Sequence, residues 1–240
     1  ACLAGGAEFK LNVLSFIRQE FAERLLATAD LDDPVAGLRP FDAAAAGTLL
    51  GEGGGLLVLE SLESARDRGA RMHAELRSTA VTQSRCADPT GLAIRPDDDG
   101  IAICMRLAIE RAGLTPDDID AVVPGATGVP NHDAAEARAI REVFGDRAPD
   151  VPLVITTPFI GNCNAGHSAL TLTVAARCLA AQHLPARLHT TDPLHGLDAA
   201  AAPARDATLR HLLVVTTSQG GQNAAAVLSR PPGAREGAAA

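Results

Sequence analysis

The sequence lacks several features that would place it directly in a large class of proteins. Its five cysteines are scattered and form no Cys-x-x-Cys pair, so we expect neither a disulfide framework nor a zinc site, and a reducing, cytoplasmic location fits best. No stretch resembles a signal peptide, and none has the length and apolarity of a membrane span. Charges of both signs are mixed along the chain at a net charge of −8, which argues against nucleic acid and membrane surfaces as partners.

What the sequence has is enough apolar residues for a core and a regular alternation of elements. With 240 residues and 47% hydrophobic content, it predicts one large domain or two small ones. Strand-like and helix-like stretches alternate, which indicates an α/β layered fold, and a glycine turn between the last two strands predicts a mixed sheet. The predicted helices are 9–27, 60–70, 100–112, 134–144 and 166–182, and the predicted strands are 56–59, 73–81, 119–123, 153–156, 209–217 and 223–229.

The stretch from Pro152 to Gln182 organises the rest of this prediction. It combines a short β-branched strand, a loop rich in Gly, Asn and Cys, and a helix that is apolar almost all round. A helix without a polar face must be buried on all sides or lie in a membrane, and this one is too short to span a bilayer. We therefore expect a central buried helix preceded by a loop that holds an active site or its remains.

Individual residues outside that stretch have structural roles in this interpretation. Cys2, on a strand at the start of the chain, is expected to be a small core residue, and Glu52 a buried carboxylate with backbone partners. Asp133 and Glu136 are expected to serve as acids at a helix N-terminus, where they suit the helix dipole. Residues 82–98 form a predicted surface loop, and residues 231–240 a disordered tail.

Seven short stretches, in this order, resemble the β-ketoacyl synthase family of condensing enzymes. They are Leu3-Ala-Gly-Gly-Ala-Glu8, Arg39-Pro-Phe-Asp42, Leu50-Gly-Glu-Gly-Gly-Gly55 with Val58-Leu-Glu60, Gly113-Leu-Thr-Pro-Asp-Asp-Ile119, Thr127-Gly-Val-Pro-Asn-His-Asp133 with Glu136, Phe159-Ile-Gly161, and Gly220-Gly-Gln-Asn223. The resemblance implies a thiolase-like layered α/β fold, with a buried central helix between two sheets. It covers the second half of such an enzyme and the end of the first half.

The resemblance also implies a division of the chain. Residues 1–60 would end the first thiolase-like half, 61–72 would form a connecting helix, and 73–230 would form the second half. The family's nucleophilic cysteine belongs to a part of the first half that precedes Ala1 in this alignment. We therefore expect the visible start, inside a strand, not to be a natural domain boundary.

The family's catalytic side chains are absent from the aligned positions. The resemblance places the first catalytic histidine at Gly125, the lysine at Thr157 and the second histidine at Asn162. A gating phenylalanine is replaced by Gln219, which makes that wall of the acyl pocket polar. No cofactor and no metal is implied. The substrate-pocket residues carried over from the family are Thr127, Phe159, Asn162, Cys163, Gln219, Gly220 and Gly221.

Two hypotheses follow from an intact scaffold with altered site positions. The first is a catalytically degenerate, chain-length-factor-like subunit of a fatty-acid or polyketide system, which pairs with an active ketosynthase (or forms a homodimer), shapes the acyl tunnel and docks an acyl carrier protein. The second is an active acyltransferase that takes its nucleophile from a first half that is missing or separate. Its substitute residues would be Cys163 at a helix N-terminus, where a thiolate is stabilised, and His132 and His167 beside the vacated positions.

Overall fold

The computed structural model describes residues 1–86 and 98–232. The predicted loop 82–98 therefore lies mostly outside the described residues, and so does the predicted tail beyond residue 232. In chain order the elements are β1 (Cys2–Glu8), α1 (Val13–Phe21), β2 (Gly53–Leu59), α2 (Leu62–Asp67), β3 (Glu75–Gln83), α3 (Gly100–Arg111), β4 (Ala121–Val123), α4 (Pro130–Phe144), α5 (Thr157–Ile160), α6 (His167–Ala181), β5 (His183–Leu184), β6 (Arg205–Asp206), β7 (His211–Thr217) and β8 (Gln222–Ser229).

The main sheet is mixed, as the closing glycine turn predicts. Its strand order is β3-β8-β7-β4, with β8 antiparallel to both neighbours and β4 parallel to β7. The predicted strand 153–156 is reduced to a single parallel bridge between Leu153 and Val122. No longer strand forms, because the chain turns into α5 at Thr157. The bridge has two backbone hydrogen bonds, from Val122 N–H to Pro152 O at 3.0 Å and from Val154 N–H to Val122 O at 2.8 Å.

Side chains that alternate along the sheet divide the core into two layers. On β7, Leu213 and Val215 pack into the cluster that holds the apolar faces of α3 and α4. Leu212 and Val214, which point to the opposite face, pack into the cluster around α6. This is the alternation of a strand that is buried on both faces.

Helix α6 lies between two sheets, which confirms its predicted central position. One side packs on the main sheet, and another side packs on the antiparallel ribbon formed by β1 and β2. The predicted burial on all sides is wrong, because Thr173 and Arg177 are exposed. Within the described residues, no helix has the length and apolarity needed to cross a lipid bilayer.

The ribbon contacts α6 at a distance that only glycine allows. A Cβ atom at Gly166, just before α6, would lie 2.0 Å from the carbonyl oxygen of Gly53. Within the ribbon, a Cβ atom at Gly5 would lie 2.0 Å from the carbonyl oxygen of Gly55. The glycine runs of the sequence therefore serve close backbone packing.

Three expectations for the first 60 residues need correction. The helix predicted over 9–27 is shorter, because Asn12 caps it by accepting a bond from the Ser15 N–H at 3.0 Å and it ends at Phe21. Cys2 is exposed rather than in the core, because it lies at the free end of the ribbon. Glu52 is partly exposed, although it accepts the expected backbone bond, from Leu11 N–H at 2.6 Å.

We predict that Gly166→Ala lowers the free energy of unfolding by about 2–3 kcal/mol, because the added methyl group overlaps a backbone carbonyl that cannot move alone. Gly69→Ala is the matched control, since no atom lies within 4 Å of its added Cβ and only its φ of 67° opposes the change. Urea unfolding of both variants measures the difference. Equal losses would contradict a packing role for Gly166.

Candidate functional site

A cavity of about 470 Å³ opens where three connections between β4 and β8 meet. The connections are the loop from β4 to α4, the loop from α5 to α6, and the turn from β7 to β8. Two of them follow the carboxyl ends of the parallel strands β4 and β7, the edge at which α/β folds bind ligands. The cavity is lined by Val81, Gly125, Thr127, His132, Asn162, Asn164, His167, Ser168, Thr216, Thr217, Ser218, Gln219, Gly220, Gln222, Asn223 and Ala224.

The structure brings most of the sequence-predicted site residues to this cavity. Gly125 and Asn162 line it, and Thr157 lies directly behind, fully buried. Three predicted pocket residues lie outside the lining: Phe159, which is 52% exposed, Gly221 and Cys163. Asn164 and Asn223 also line the cavity, although sequence reasoning assigned them no role. The sequence could have indicated both, since Asn164 lies in the stretch Pro152 to Gln182 and Asn223 ends the family-like stretch that begins at Gly220.

His167 lies beside Thr157, the residue at which the resemblance places the family's lysine. Its Nε2 lies 3.2 Å from Thr156 Oγ1 and 3.4 Å from Thr157 Oγ1, and the Thr157 hydroxyl donates to Gly125 O at 3.4 Å. Burial lowers the pKa of His167 to about 4, so its imidazole is neutral at physiological pH. The ring is therefore a hydrogen-bonding group of the cavity wall rather than a cation.

His132 lies on the opposite side of the site, at the third position of α4. It does not cap the helix, because the N-cap is Val129, without a side-chain bond, and the Nε2 of His132 is buried without a partner. Burial, and then the positive charge of Arg24, lower its pKa to about 4. Arg24 is itself anchored at the site, where its guanidinium donates to the Oε1 of Gln219.

Two buried carboxylates hold the loop that lines one wall. Glu136 accepts the N–H groups of Gly125 and Ala126 at 2.8 and 2.9 Å. Asp133 accepts those of Thr127 at 2.8 Å and Gly128 at 3.0 Å, and also the Phe41 N–H at 2.9 Å. Asp133 lies in the first turn of α4 as expected, but neither carboxylate caps its own helix, because both side chains bond to the preceding loop.

Burial raises the pKa of Asp133 to about 6 and that of Glu136 to about 7. The backbone N–H donors around each carboxylate oppose this shift, because they stabilise the ionised form. Glu136 has fewer such donors, and the negative charge of Asp133 also raises its pKa. Both carboxylates therefore hold the loop backbone in place, and neither of them lines the cavity.

Cys163 lies on the far side of its loop from the cavity. Its Sγ is 3.6 Å from Ile160 O and 3.8 Å from Gly161 O, next to the backbone of Gly51. Burial raises the pKa of its thiol, the opposite of the shift expected for a thiolate at a helix N-terminus. Cys163 is therefore a buried thiol that packs against the backbone and does not line the cavity.

The lining is polar but carries no formal charge at neutral pH. None of its described residues is Asp, Glu, Lys or Arg, and both imidazoles are neutral. Across the described residues, no group of three or more His, Cys, Asp and Glu side chains is placed to hold a metal ion. Chemically, the site can donate and accept hydrogen bonds, but it offers no charged or activated group.

A mixed sheet, a central helix between two sheets and a cavity at the strand ends define a thiolase-like protein. Sequence comparison identifies its family more closely. The model of the β-ketoacyl synthase C-terminal domain matches residues 73–191, and that of the N-terminal domain matches residues 1–65. The chain belongs to the β-ketoacyl synthase family.

Similar proteins come from polyketide systems. The tetracenomycin polyketide synthase ketoacyl synthase beta subunit of Streptomyces glaucescens is 37% identical over 95% of this chain and 54% of its own length. The alpha subunit of the same system is 36% identical over 85% of this chain and 48% of its own length. The solved structure of the ishigamide ketosynthase/chain length factor is 31% identical, with a TM-score of 0.82 over 95% of this chain and 53% of that one.

These similarities do not by themselves assign the chain to one kind of subunit. The chain spans about half the length of the relatives it matches. Identity to the alpha and beta subunits is almost the same, so overall similarity does not distinguish the two kinds of subunit. The distinction depends on the residues of the site.

We predict that His167→Gln makes the protein less sensitive to acid. The folded pKa of about 4 lies below the value of about 6.5 for an unfolded histidine, so the native imidazole contributes stability above pH 6.5 that is lost as pH falls toward 4. The variant should therefore gain about 2 kcal/mol relative to the parent between pH 7.5 and pH 5. Urea unfolding at both pH values measures it.

The matched control is His195→Gln, since His195 is exposed and lies outside the cavity. Asp133 and Glu136 act in the opposite direction, because their raised pKa values make stability fall as pH rises from about 4 to 7. This background is common to all the proteins compared, so it cancels in the difference. An identical pH dependence for His167→Gln and the parent would contradict a neutral, buried His167.

We further predict that Asp133→Asn lowers the free energy of unfolding at pH 7.5 by about 2–3 kcal/mol. The amide nitrogen would face backbone N–H donors that now share two carboxylate oxygens, and at least one buried donor would lose its acceptor. Glu110→Gln, on the exposed side of α3, is the control and should change stability by less than about 0.5 kcal/mol. A loss in Asp133→Asn no greater than in this control would contradict the assigned role.

Proposed function

We propose that this protein is a catalytically degenerate, ketosynthase-like subunit of a polyketide-type biosynthetic system, of the chain-length-factor type. It pairs with an active β-ketoacyl synthase, shapes the tunnel for the growing acyl chain and presents a surface to an acyl carrier protein. In this proposal residues 1–60 complete a first thiolase-like half, 61–72 connect, and 73–230 form the second half. The names of the relatives favour a polyketide over a fatty-acid system.

One observation carries the proposal: a single cavity is bordered by Gly125, Thr157 and Asn162, and none of these supplies a catalytic imidazole or amine. Decarboxylation of a malonyl thioester requires donors that stabilise the enolate oxygen as carbon dioxide leaves. Gly125 has no side chain, and its N–H is already bonded to Glu136. The side-chain oxygen of Asn162 accepts from the Asn164 N–H at 3.0 Å, which leaves only its amide nitrogen as a donor.

The alternative, an active acyltransferase with substitute residues, receives less support from the geometry. Cys163 faces away from the cavity and has a raised thiol pKa. The neutral imidazoles of His132 and His167 lie at the cavity, but an imidazole with a pKa of about 4 is a weak general base at neutral pH. His167 contacts the hydroxyls of Thr156 and Thr157, but both threonines are buried and neither lines the cavity.

Exposed apolar surface supports a partner or further polypeptide beside the first 60 residues. The outer face of the ribbon and helix α1 expose large side chains, at 70% for Leu3, 75% for Val13 and 86% for Phe21. Large exposed apolar side chains in such number favour an interaction site. Pairing with a ketosynthase would cover surface that water otherwise contacts.

The proposed function predicts that the purified protein does not decarboxylate a malonyl thioester above the uncatalysed rate, whereas its co-purified pair with an active ketosynthase condenses. Cys163→Ala should leave condensation by the pair within about twofold of the parent, because the thiol does not reach the cavity. Product formation followed by mass spectrometry measures both. Turnover by the protein alone would refute the degenerate-subunit proposal.

The matched control for Cys163→Ala is Cys178→Ala, which removes another buried thiol, from the last turn of α6. Thermal unfolding of each variant checks that the fold is kept. If Cys163→Ala alone abolished condensation while both variants stayed folded, the active-enzyme alternative would be the better explanation.

A further inference from the structure

Two buried acids share one short loop. The side chains of Asp133 and Glu136 converge on four successive peptide groups of the β4–α4 loop, residues 125–128. Asp133 is fully buried, and Glu136 is 2% exposed. They lie three positions apart on α4, and Ala126 and Thr127, which donate to one acid each, are adjacent residues. Two groups that carry like charge when ionised are therefore enclosed together, out of contact with bulk water.

Among the described residues, no cation neutralises this pair. The charged and titratable side chains on the elements around it are Arg24 after α1, Arg39, Asp42 and His189 around Phe41, Arg106 on α3, His132 and Arg138 on α4, and His167 on α6. The ion pairs of Arg106 and Arg138 involve other acids, and the imidazoles of His132 and His167 are neutral. A buried charge without a cation is costly, and a second charge of the same sign beside it adds to the cost.

The loop that the pair holds is strained. Ala126 is fully buried and has a φ of 44°, in the left-handed region that a non-glycine residue adopts only at a cost. Its N–H donates to Glu136 at 2.9 Å, so the bond that fixes this backbone ends on one of the two acids. A change in the charge of the pair therefore acts directly on a segment that would relax if it were released.

We propose that the β4–α4 loop is proton-sensitive: in the closed loop the Asp133–Glu136 pair retains a proton near neutral pH, and release of that proton to water favours an open loop in which both carboxylates are hydrated. Since Gly125 and Thr127 line the cavity, opening of the loop would change the cavity wall. The inference goes beyond the proposed function and does not depend on it, because it requires only the loop and its two acids.

The direction of the effect follows from linkage. Burial raises the pKa of Asp133 to about 6 and that of Glu136 to about 7, whereas a hydrated carboxylate has a pKa of about 4. The closed loop therefore binds the proton more tightly than the open loop does. Its stability relative to the open loop is fully present below about pH 4 and is lost as pH rises toward about 7.

Amide hydrogen exchange of the purified protein, followed by NMR from pH 5 to pH 8, tests this inference. After correction for the intrinsic exchange rate, the protection of the amides of residues 125–128 should fall at least about tenfold between pH 5 and pH 7.5. The amides of Leu213 and Val215 on β7 report global unfolding, and they should exchange at least about tenfold more slowly than those of the loop. This difference separates opening of the loop from unfolding of the protein.

Glu136→Gln removes one ionisable group at nearly constant size, and the fall in loop protection with pH should be at least about threefold smaller than in the parent. Glu142→Gln is the matched control, because it makes the same change on the same helix at a partly exposed carboxylate that pairs with Arg106 and Arg138. It should keep the parent's pH dependence. The side-chain carboxyl ¹³C resonance of Glu136 in the parent gives a test that needs no variant, with a titration midpoint expected above about pH 6.

Three results would overturn the inference: loop protection that stays constant or rises with pH, an equal fall in Glu136→Gln and the parent, or a Glu136 carboxyl group that titrates near pH 4. All three leave the proposed function standing, because the malonyl decarboxylation assay decides it separately. Conversely, turnover of a malonyl thioester by the protein alone would refute the proposed function and leave the proton-sensitive loop unaffected.

Discussion

Two buried carboxylates at the start of α4 determine the shape of the site. Asp133 and Glu136 accept backbone N–H groups from four successive residues of the β4–α4 loop, and Asp133 also accepts the Phe41 N–H. That loop includes a non-glycine residue, Ala126, in the left-handed region at φ 44°, which is costly unless the surroundings fix it. The carboxylates supply that constraint, and Asp133 connects the loop to Phe41, which lies far earlier in the chain.

The scaffold and the chemistry of the site are therefore separable. Close glycine packing at Gly5 and Gly166 and the bonds of Asp133 and Glu136 involve the backbone, and they stay intact whatever side chain occupies the catalytic positions. A chain of this family can thus lose imidazole and amine groups without losing its fold. Gly125 illustrates this, since its N–H is bonded to Glu136 although it has no side chain.

The electrostatic character of the cavity follows from burial rather than from residue type. Two histidines beside a vacated site suggest replacement acid–base groups, but burial holds both pKa values near 4. The carboxylates that could have raised these values bond to backbone N–H groups and line no part of the cavity. What remains is a neutral, hydrogen-bonding wall, which agrees with a subunit that binds rather than reacts.

The amino-acid sequence by itself determined the mixed α/β layering, the central position of α6, the family and the cavity positions of Gly125 and Asn162, because periodicity and short motifs are local. It did not show that Asp133 and Glu136 bond to the preceding loop or that Cys163 lies outside the cavity lining, since one-dimensional spacing does not show which way a side chain turns. It also overestimated the burial of α6, on which Thr173 and Arg177 are exposed. Only the tertiary structure decided these points, because burial, side-chain direction and pKa depend on neighbours distant in the chain.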